Sequence, residues 1–412
     1  MRTPLGLFVL AIACSGRSPA FPPVETTEPD AAPPITPPIV PPVEGLRVEE
    51  WGTYTSVQAS DGHALGGVHH EDEVLPAWVH RRDLGPNGYY LERLPEEPLQ
   101  QLETPVLYFW SPEAKPVEVT VRFPRGVVSQ WYPEAQSYAP ALHGMTALSG
   151  GSMTWRLTVD PAMDPASFPP VDPAEIWAPS RHVASAPVRW TTPAGTEERE
   201  QFIFYRGLGT FDPPIRIVST DTELRIGNQS GETPAQAFVL QVAGDRGRIE
   251  RVGPLAPGVV RAAIPAATDS LEVYVGQARS LLGQALVQSG LHADVAQAMV
   301  DTWTRSWFRN QGLRVLYLAP RLWTDAWLPT TITPAPTSFV RTLVGRIEVL
   351  TPREEQALVA RVKTGVQSQM GLDLATLGRF AEPRLLRSVE QLTARDEVDY
   401  AQGYADAAHQ AR

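Results

Sequence analysis

The sequence predicts an α+β fold: a mostly antiparallel, sandwich-like β body with an inserted helical hairpin and a helical C-terminal tail. Short runs of aromatic and β-branched residues recur between Gly, Pro and Asn turns as far as residue 264. After Asp269 the apolar residues recur at helical spacing, and Thr351-Pro352-Arg353-Glu354 has the form of a helix capping box. The predicted regions are a signal peptide (1–13), a tether (14–45), the body (46–350) and the tail (351–412).

The first 14 residues have the form of an export signal. Arg2 precedes the apolar run Leu5 to Ile12, which falls short of the roughly 20 residues that span a bilayer. Ala11-Ile12-Ala13-Cys14 resembles the lipobox of bacterial lipoproteins, although Ala11 stands where that family usually has Leu. The resemblance implies cleavage before Cys14, its lipidation with fatty acids such as palmitate, and the membrane as a partner. A secreted protein without lipid and a cytoplasmic protein are the alternatives.

The segment after Cys14 is predicted to be an extended tether. It contains ten prolines between Ser15 and Gly45, and such a segment favours polyproline II. At about 3.1 Å per residue it reaches roughly 95 Å. Ser15 rather than Asp follows the cysteine, which favours localisation to the outer membrane of the cell envelope. A Pro-rich ligand for a partner domain is the alternative interpretation.

The body is predicted to begin with a strand at Val48 to Val57. Further runs with strand character are Val106 to Trp110, Val117 to Phe123, Met153 to Val159, Phe202 to Tyr205, Ile215 to Ser219, Leu224 to Gly227, Ala237 to Val242, Val259 to Ile264, Leu313 to Ala319 and Phe339 to Leu350. Turns between these runs suggest an antiparallel sandwich. Between Thr222 and Ile264 three runs, separated by two turns, are predicted to form consecutive strands. The Pro-rich segment Asp160 to Pro187 is predicted to be surface loop.

Two stretches have the apolar spacing of helices. Gln277 to Gln288 and Ala293 to Arg309 are predicted to form the helical hairpin, and the Trp303 and Trp307 side chains lie on its apolar stripe. In the tail, helical patterns run from Thr351 to about Val366, from Leu372 to Phe380 and from Pro383 to Leu392, followed by a polar, Ala-rich end.

Composition excludes several classes of function. The net charge of −11 argues against a nucleic-acid partner, which requires clustered positive charge. The single cysteine leaves no disulfide to stabilise the body. The chain lacks the Gly-x-Ser-x-Gly, His-Glu-x-x-His, Walker A, Cys-x-x-Cys and EF-hand patterns. If the protein is an enzyme, its catalytic residues are therefore scattered along the chain.

The histidines His63, His69, His70 and His80 form the sharpest local cluster, interleaved with acidic residues 71 to 73. Imidazoles beside carboxylates are ligands for zinc or another divalent transition metal. Against this hypothesis, adjacent His69 and His70 would point to opposite faces of a strand, and a solvated polar loop explains the run as well. No cofactor is otherwise expected.

A second candidate is a polar site around Arg346 and Glu348, which share one face of a predicted strand. Arg206, together with Arg341 and Glu103, is expected to join them. The alternative is an ion-paired rim without catalysis. Eleven tryptophans also allow an aromatic glycan-binding face, although core packing is their commoner use.

The body resembles an uncharacterised family of exported proteins of myxobacteria and planctomycetes. The landmarks are Glu50-Trp51-Gly52-Thr53-Tyr54-Thr55-Ser56, residues 103–109 and 204–207, Trp303 with Trp307, and residues 344–348. The resemblance covers about residues 49–352 and implies one structural unit without implying an activity.

Together these observations predict a lipid-anchored protein of the bacterial cell envelope that serves as a binding or interaction module for an envelope protein or glycan. An anchored hydrolase with scattered carboxylate or histidine residues and a structural scaffold are the alternatives.

Overall fold

A computed structural model describes residues 45–70, 75–82, 98–141, 147–192 and 194–410, with the backbone alone at Thr104. Cys14 and the tether up to residue 44 lie outside the described residues. The described chain combines large, mainly antiparallel sheets with helices, which confirms the α+β class.

The strands as the structure has them are β1 (Arg47–Gln58), β2 (Ala64–Leu65), β3 (His80–Arg81), β4 (Gln100–Trp110), β5 (Lys115–Phe123), β6 (Gly126–Tyr132), β7 (Ser137–Ala139), β8 (Gly151–Val159), β9 (Val188–Thr191), β10 (Glu197–Glu200), β11 (Ile203–Gly209), β12 (Ile215–Ser219), β13 (Glu223–Asn228), β14 (Ala237–Ala243), β15 (Arg246–Gly253), β16 (Gly258–Ala263), β17 (Asp269–Ser270), β18 (Gly312–Leu318), β19 (Thr330–Thr333) and β20 (Ser338–Val349). The α-helices are α1 (Leu271–Gln288), α2 (Ala293–Phe308), α3 (Arg321–Trp327), α4 (Pro352–Ser368), α5 (Ala381–Gln391) and α6 (Arg395–Gln410).

A large central sheet organises the described chain, with strand order β17-β15-β14-β18-β20-β1-β4-β11-β6-β3. Its two innermost strands, β1 and β20, pair in parallel from Arg47 opposite Ser338 to Gln58 opposite Val349. The other pairs of this sheet are antiparallel. Nearly every residue of β1 is buried, as expected for a strand covered on both faces.

Two smaller sheets cover one face of the central sheet. One has the order β10-β9-β8-β5-β19, with β7 beside β8, and the other has the order β12-β13-β16. The apolar core between these layers contains Tyr54, Trp155, Ile217, Tyr317 and Ile347. This arrangement is a sandwich, and we call this side of the central sheet the sandwich face.

Helices cover the opposite face of the central sheet, which we call the helix face. Trp51 and Val344 of the sheet pack here against α1 and α2, including Trp303 and Trp307, whose rings stack 5.4 Å apart. Both tryptophans are core residues rather than an exposed glycan platform. In the tail, α4, α5 and α6 pack on one another, and Phe380 reaches a small cluster with body residues that include Val57 and Leu350.

The sequence-based assignment needs three corrections. The strands from Thr222 to Ile264 are not consecutive neighbours: β13 pairs with β16, while β14 and β15 form a hairpin in the central sheet. Helix α1 begins six residues before Gln277. The stretch Leu372 to Phe380 forms short 3-10 turns rather than an α-helix, interrupted by Gly378 in a positive-φ conformation.

The Pro-rich segment Asp160 to Pro187 is a loop with two 3-10 turns, at Pro165–Ser167 and Ala178–His182. It does not lie wholly on the surface, because Ile176, Trp177 and Val183 enter the core of the helix face. Of the helices in the described parts of the chain, none combines the length and apolar character needed to cross a bilayer.

Candidate functional site

A buried cluster of histidines around one carboxylate joins the body to the tail. His69 and His70 lie in the segment after β2, Glu382 lies in the first turn of α5, and His409 lies in the last turn of α6. Glu382 is fully buried, and the His69, His70 and His409 side chains are 3%, 13% and 10% exposed. The four side chains therefore meet in the interface between body and tail, away from bulk water.

The ring nitrogens of this cluster face the Glu382 carboxylate. His409 Nδ1 lies 2.9 Å from Oε1, while His69 Nδ1 and His70 Nε2 lie 3.5 and 3.4 Å from Oε2. The His69 ring centroid lies 4.2 Å from that of His70 and 4.6 Å from that of His409. Ligand atoms of His69, Glu382 and His409 all lie within 4.8 Å of one another, so these residues could hold a metal ion.

Burial and the contacts among the four side chains together set the protonation of the cluster. Burial, with a smaller contribution from the neighbouring His70, lowers the pKa of His69 to about 4, so its imidazole is neutral at pH 7. Burial alone would raise the pKa of Glu382, but the hydrogen bond from His409 and the nearby imidazoles of His70 and His69 outweigh it and hold the pKa at about 2. Neutral imidazole and ionised carboxylate are the forms that bind metal ions.

The segment that carries His69 and His70 depends on a glycine. Gly67 has φ +82°, a conformation that disfavours residues with a side chain, and a Cβ there would lie 2.8 Å from Cδ of Glu382. Glycine therefore allows the loop to approach the carboxylate closely.

The structure separates the four histidines of the predicted metal site. His63 is exposed in a turn, and His80 lies 2.7 Å from Glu198 and stacks near Trp131. His69 and His70 do converge, because their segment is not a strand and both rings face the same carboxylate. Sequence reasoning missed Glu382 and His409, which lie more than 300 residues further along the chain.

The predicted polar site around Arg346 and Glu348 is an ion-pair layer on the helix face. The Glu348 carboxylate accepts hydrogen bonds from Arg346 at 2.8 Å and from Arg314 at 2.9 Å, and all three side chains are buried. Burial works to raise the pKa of Glu348, but the guanidinium groups of Arg314 and Arg346 outweigh it and hold the pKa below its usual range. This pairing favours a structural role.

Of the other residues expected at that polar site, Glu103 lies on the same face two strands from β20, and it accepts a hydrogen bond from Thr55, the β1 partner of Arg346. Arg341 and Arg206 do not join Arg346 and Glu348. Glu103 is on the helix face, where it pairs with Arg379 of the tail. Arg341 is on the sandwich face, paired with Glu50, which also accepts a hydrogen bond from Tyr205 at 2.5 Å. Arg206 is on β11, three strands from β20, or about 14 Å across the sheet.

A groove opens where the β10-β9-β8-β5-β19 sheet splits. β8 and β9 pair only at Thr158 with Arg189 and at Val159 with Val188, and their further parts diverge. The cavity of about 520 Å³ has an indole, two guanidinium groups, a carboxylate and several hydroxyls in its wall; these come from Trp190, Arg156, Arg189, Glu118, Thr158, Thr191 and Thr333. Arg156 donates to Glu118 at 2.6 Å.

A smaller cavity of about 190 Å³ lies in the tail, between α4 and α5. Leu350 and Leu358 contribute apolar wall, and Arg361, Arg384 and Arg387 contribute charge. Arg387 is already paired with Asp61, Glu355 and Glu390. This volume is below the roughly 300 Å³ at which ligand pockets usually begin.

Comparison with known proteins gives no relative from which a function can be transferred. The chain matches no known protein family and no curated protein. Among solved structures it is similar to the mu-homology domain of yeast delta-COP-I complexed with the Dsl1 WxWxV peptide, at 8% identity and a TM-score of 0.27. That match covers 76% of this chain and 100% of the other chain. A likeness at this TM-score carries no argument, and the resemblance to exported myxobacterial and planctomycete proteins stays a prediction.

Proposed function

We propose that this protein is a lipid-anchored binding module of the bacterial cell envelope, whose sheet groove receives a glycan chain. The observation that carries the proposal is the groove between β8 and β9. Its wall combines the Trp190 indole with the Arg156 and Arg189 guanidinium groups and the hydroxyls of threonines. Sugars present apolar ring faces and many hydroxyls, and this mixture of groups complements both.

Binding is favoured over hydrolysis by the positions of the shifted carboxylates. Burial raises the pKa of Glu49 to about 7 and also raises that of Glu200, the direction a general acid requires. Within the described residues, however, Glu49 contacts Arg47 and His292, and Glu200 contacts Arg181 and Trp177. Neither glutamate is among the residues that line the groove.

The test uses the full-length protein extracted in detergent. Binding to peptidoglycan sacculi and to purified lipopolysaccharide is measured by co-sedimentation and affinity electrophoresis, with cellulose as a neutral reference. We expect saturable binding to one of the two envelope glycans, and a weakening of at least about tenfold in Trp190→Ala and Arg156→Ala, because loss of a stacking or charged anchor costs 1.4 kcal/mol or more.

Arg122→Ala is the matched control, since Arg122 is exposed on β5 of the same sheet and does not line the groove. Wild-type protein that prefers neither envelope glycan over cellulose would contradict the proposal. So would Trp190→Ala and Arg156→Ala variants that bind as tightly as Arg122→Ala.

The anchor is tested separately with Cys14→Ala. We expect wild-type protein in the membrane fraction, with an intact mass above that of the processed chain by a diacylglycerol and an acyl chain. The variant should lack that added mass. An unlipidated wild-type protein in the soluble fraction would overturn the proposed lipid anchor and the location in the cell envelope.

A further inference from the structure

We propose that His69, His70, Glu382 and His409 form a zinc site that fastens the helical tail to the body. The four side chains come from three segments that are distant in the sequence, and they converge in a buried interface. One bound ion would therefore connect the segment after β2 with both α5 and α6.

The distances of His69 and His70 from the Glu382 carboxylate agree with a metal site better than with hydrogen bonds. Zinc ligands at about 2.05 Å in a tetrahedron lie about 3.3–3.4 Å from one another. His69 Nδ1 and His70 Nε2 lie 3.5 and 3.4 Å from Glu382 Oε2. These contacts exceed the usual 2.7–3.2 Å of a nitrogen–oxygen hydrogen bond. Both rings thus surround the carboxylate oxygen at ligand spacing.

The kinds of donor select the ion. Imidazole nitrogens with one carboxylate suit zinc, whereas calcium and magnesium prefer sites built from oxygen alone. Four protein donors with little exposure to water describe a closed, structural zinc site rather than a catalytic one, which keeps a position open for water. The ion would therefore stabilise the docked tail and perform no chemistry.

An ion-pair cluster without metal is the competing explanation. A single protonated histidine would suffice to neutralise Glu382, and His409 at 2.9 Å is placed to do so. The ion pair accounts for His409 but does not require two further rings at the same carboxylate. The two explanations predict different results when zinc is added.

The experiment uses the full-length protein, stripped with EDTA and exchanged into chelator-free buffer. Zinc binding is measured by calorimetry and elemental analysis, and the thermal midpoint is followed with and without zinc. We expect one zinc per chain, a higher midpoint on loading because the ion binds the folded state, and the visible absorption of tetrahedral cobalt when Co²⁺ replaces zinc.

His409→Ala and Glu382→Gln should weaken zinc binding at least about tenfold and abolish the shift of the midpoint. His63→Ala is the matched control, because His63 lies near in sequence but is exposed. His409 lies at the end of the last helix, so its replacement tests the site even if Glu382→Gln does not fold. The proposal would be overturned if wild-type protein binds no zinc, or if His63→Ala abolishes the zinc binding of the wild type. A His409→Ala variant that binds zinc as tightly as wild type would also overturn it.

Discussion

The two faces of the central sheet are both buried, yet at neighbouring positions of β20 they provide different chemistry. On β20, Ile347 packs among aromatic and aliphatic side chains of the sandwich face, while its neighbour Glu348 binds two arginines on the helix face. At Ile347, packing depends mainly on volume. At Glu348, it depends on each buried charge keeping its partner, as it also does at the Arg341–Glu50 pair of the sandwich face. The Ile347 and Glu348 positions should therefore respond to substitution by different rules.

Glu348→Ala is expected to give the largest effect. It removes the carboxylate that Arg314 and Arg346 share and leaves cationic groups buried without it. Breaking a buried ion pair by removing one partner costs about 3–5 kcal/mol in the free energy of unfolding, and urea denaturation of the variant would measure this loss. Glu272→Gln breaks the exposed pair with Arg309 and serves as the control, with an unchanged midpoint expected. Equal effects of the two substitutions would show that the helix face does not depend on pairing.

Glu49 tests the same face through pH. Burial raises the pKa of this carboxyl from 4.5 to about 7 in the folded protein, so folding favours its protonated form. Its contribution to stability is therefore fully present below about pH 4.5 and is lost as the pH rises through about 7. The change amounts to at most about 3 kcal/mol.

The measurement is the free energy of unfolding between pH 4.5 and 8, for wild type and Glu49→Gln. We expect the wild-type value to fall relative to the variant as the pH rises. Parallel pH profiles would mean that Glu49 titrates alike in the folded and unfolded chains.

Ile347→Val should give the smallest effect, on the sandwich face. Removing one methylene from a packed core costs about 1 kcal/mol, and no charge is involved. The loss should be the same at pH 5 and pH 8 in urea denaturation. A pH-dependent loss would indicate that the two faces are coupled through β20.

Sequence patterns predicted the central strands and the hairpin because apolar periodicity determines those elements. They missed β15, whose residues Arg246-Gly247-Arg248-Ile249-Glu250-Arg251 are mostly charged or glycine and lie near the edge of the sheet. Pairing with β14, a tertiary effect, gives this segment its strand conformation.

The histidine cluster shows a second limit of the sequence. His69 and His70 could be selected as candidate ligands, but the geometric argument against them assumed a strand that the segment does not form. Glu382 and His409 carry no local signal beyond their residue type, since a helical acid and a terminal histidine are common. Only the packing of α5 and α6 on the body brings them together.

The parallel pairing of β1 with β20 has a consequence for how the chain is made. Each residue of β1 finds its β20 partner 291 positions later, as in the pairing of Arg47 with Ser338. Such distant pairing implies slow folding and a long-lived exposed strand edge. The first strand of the body therefore cannot pair along this edge until about 350 residues have been synthesised. If the chain is exported, these residues must also have been carried across the membrane. During that interval a chaperone would protect the exposed edge of β1 from wrong pairing.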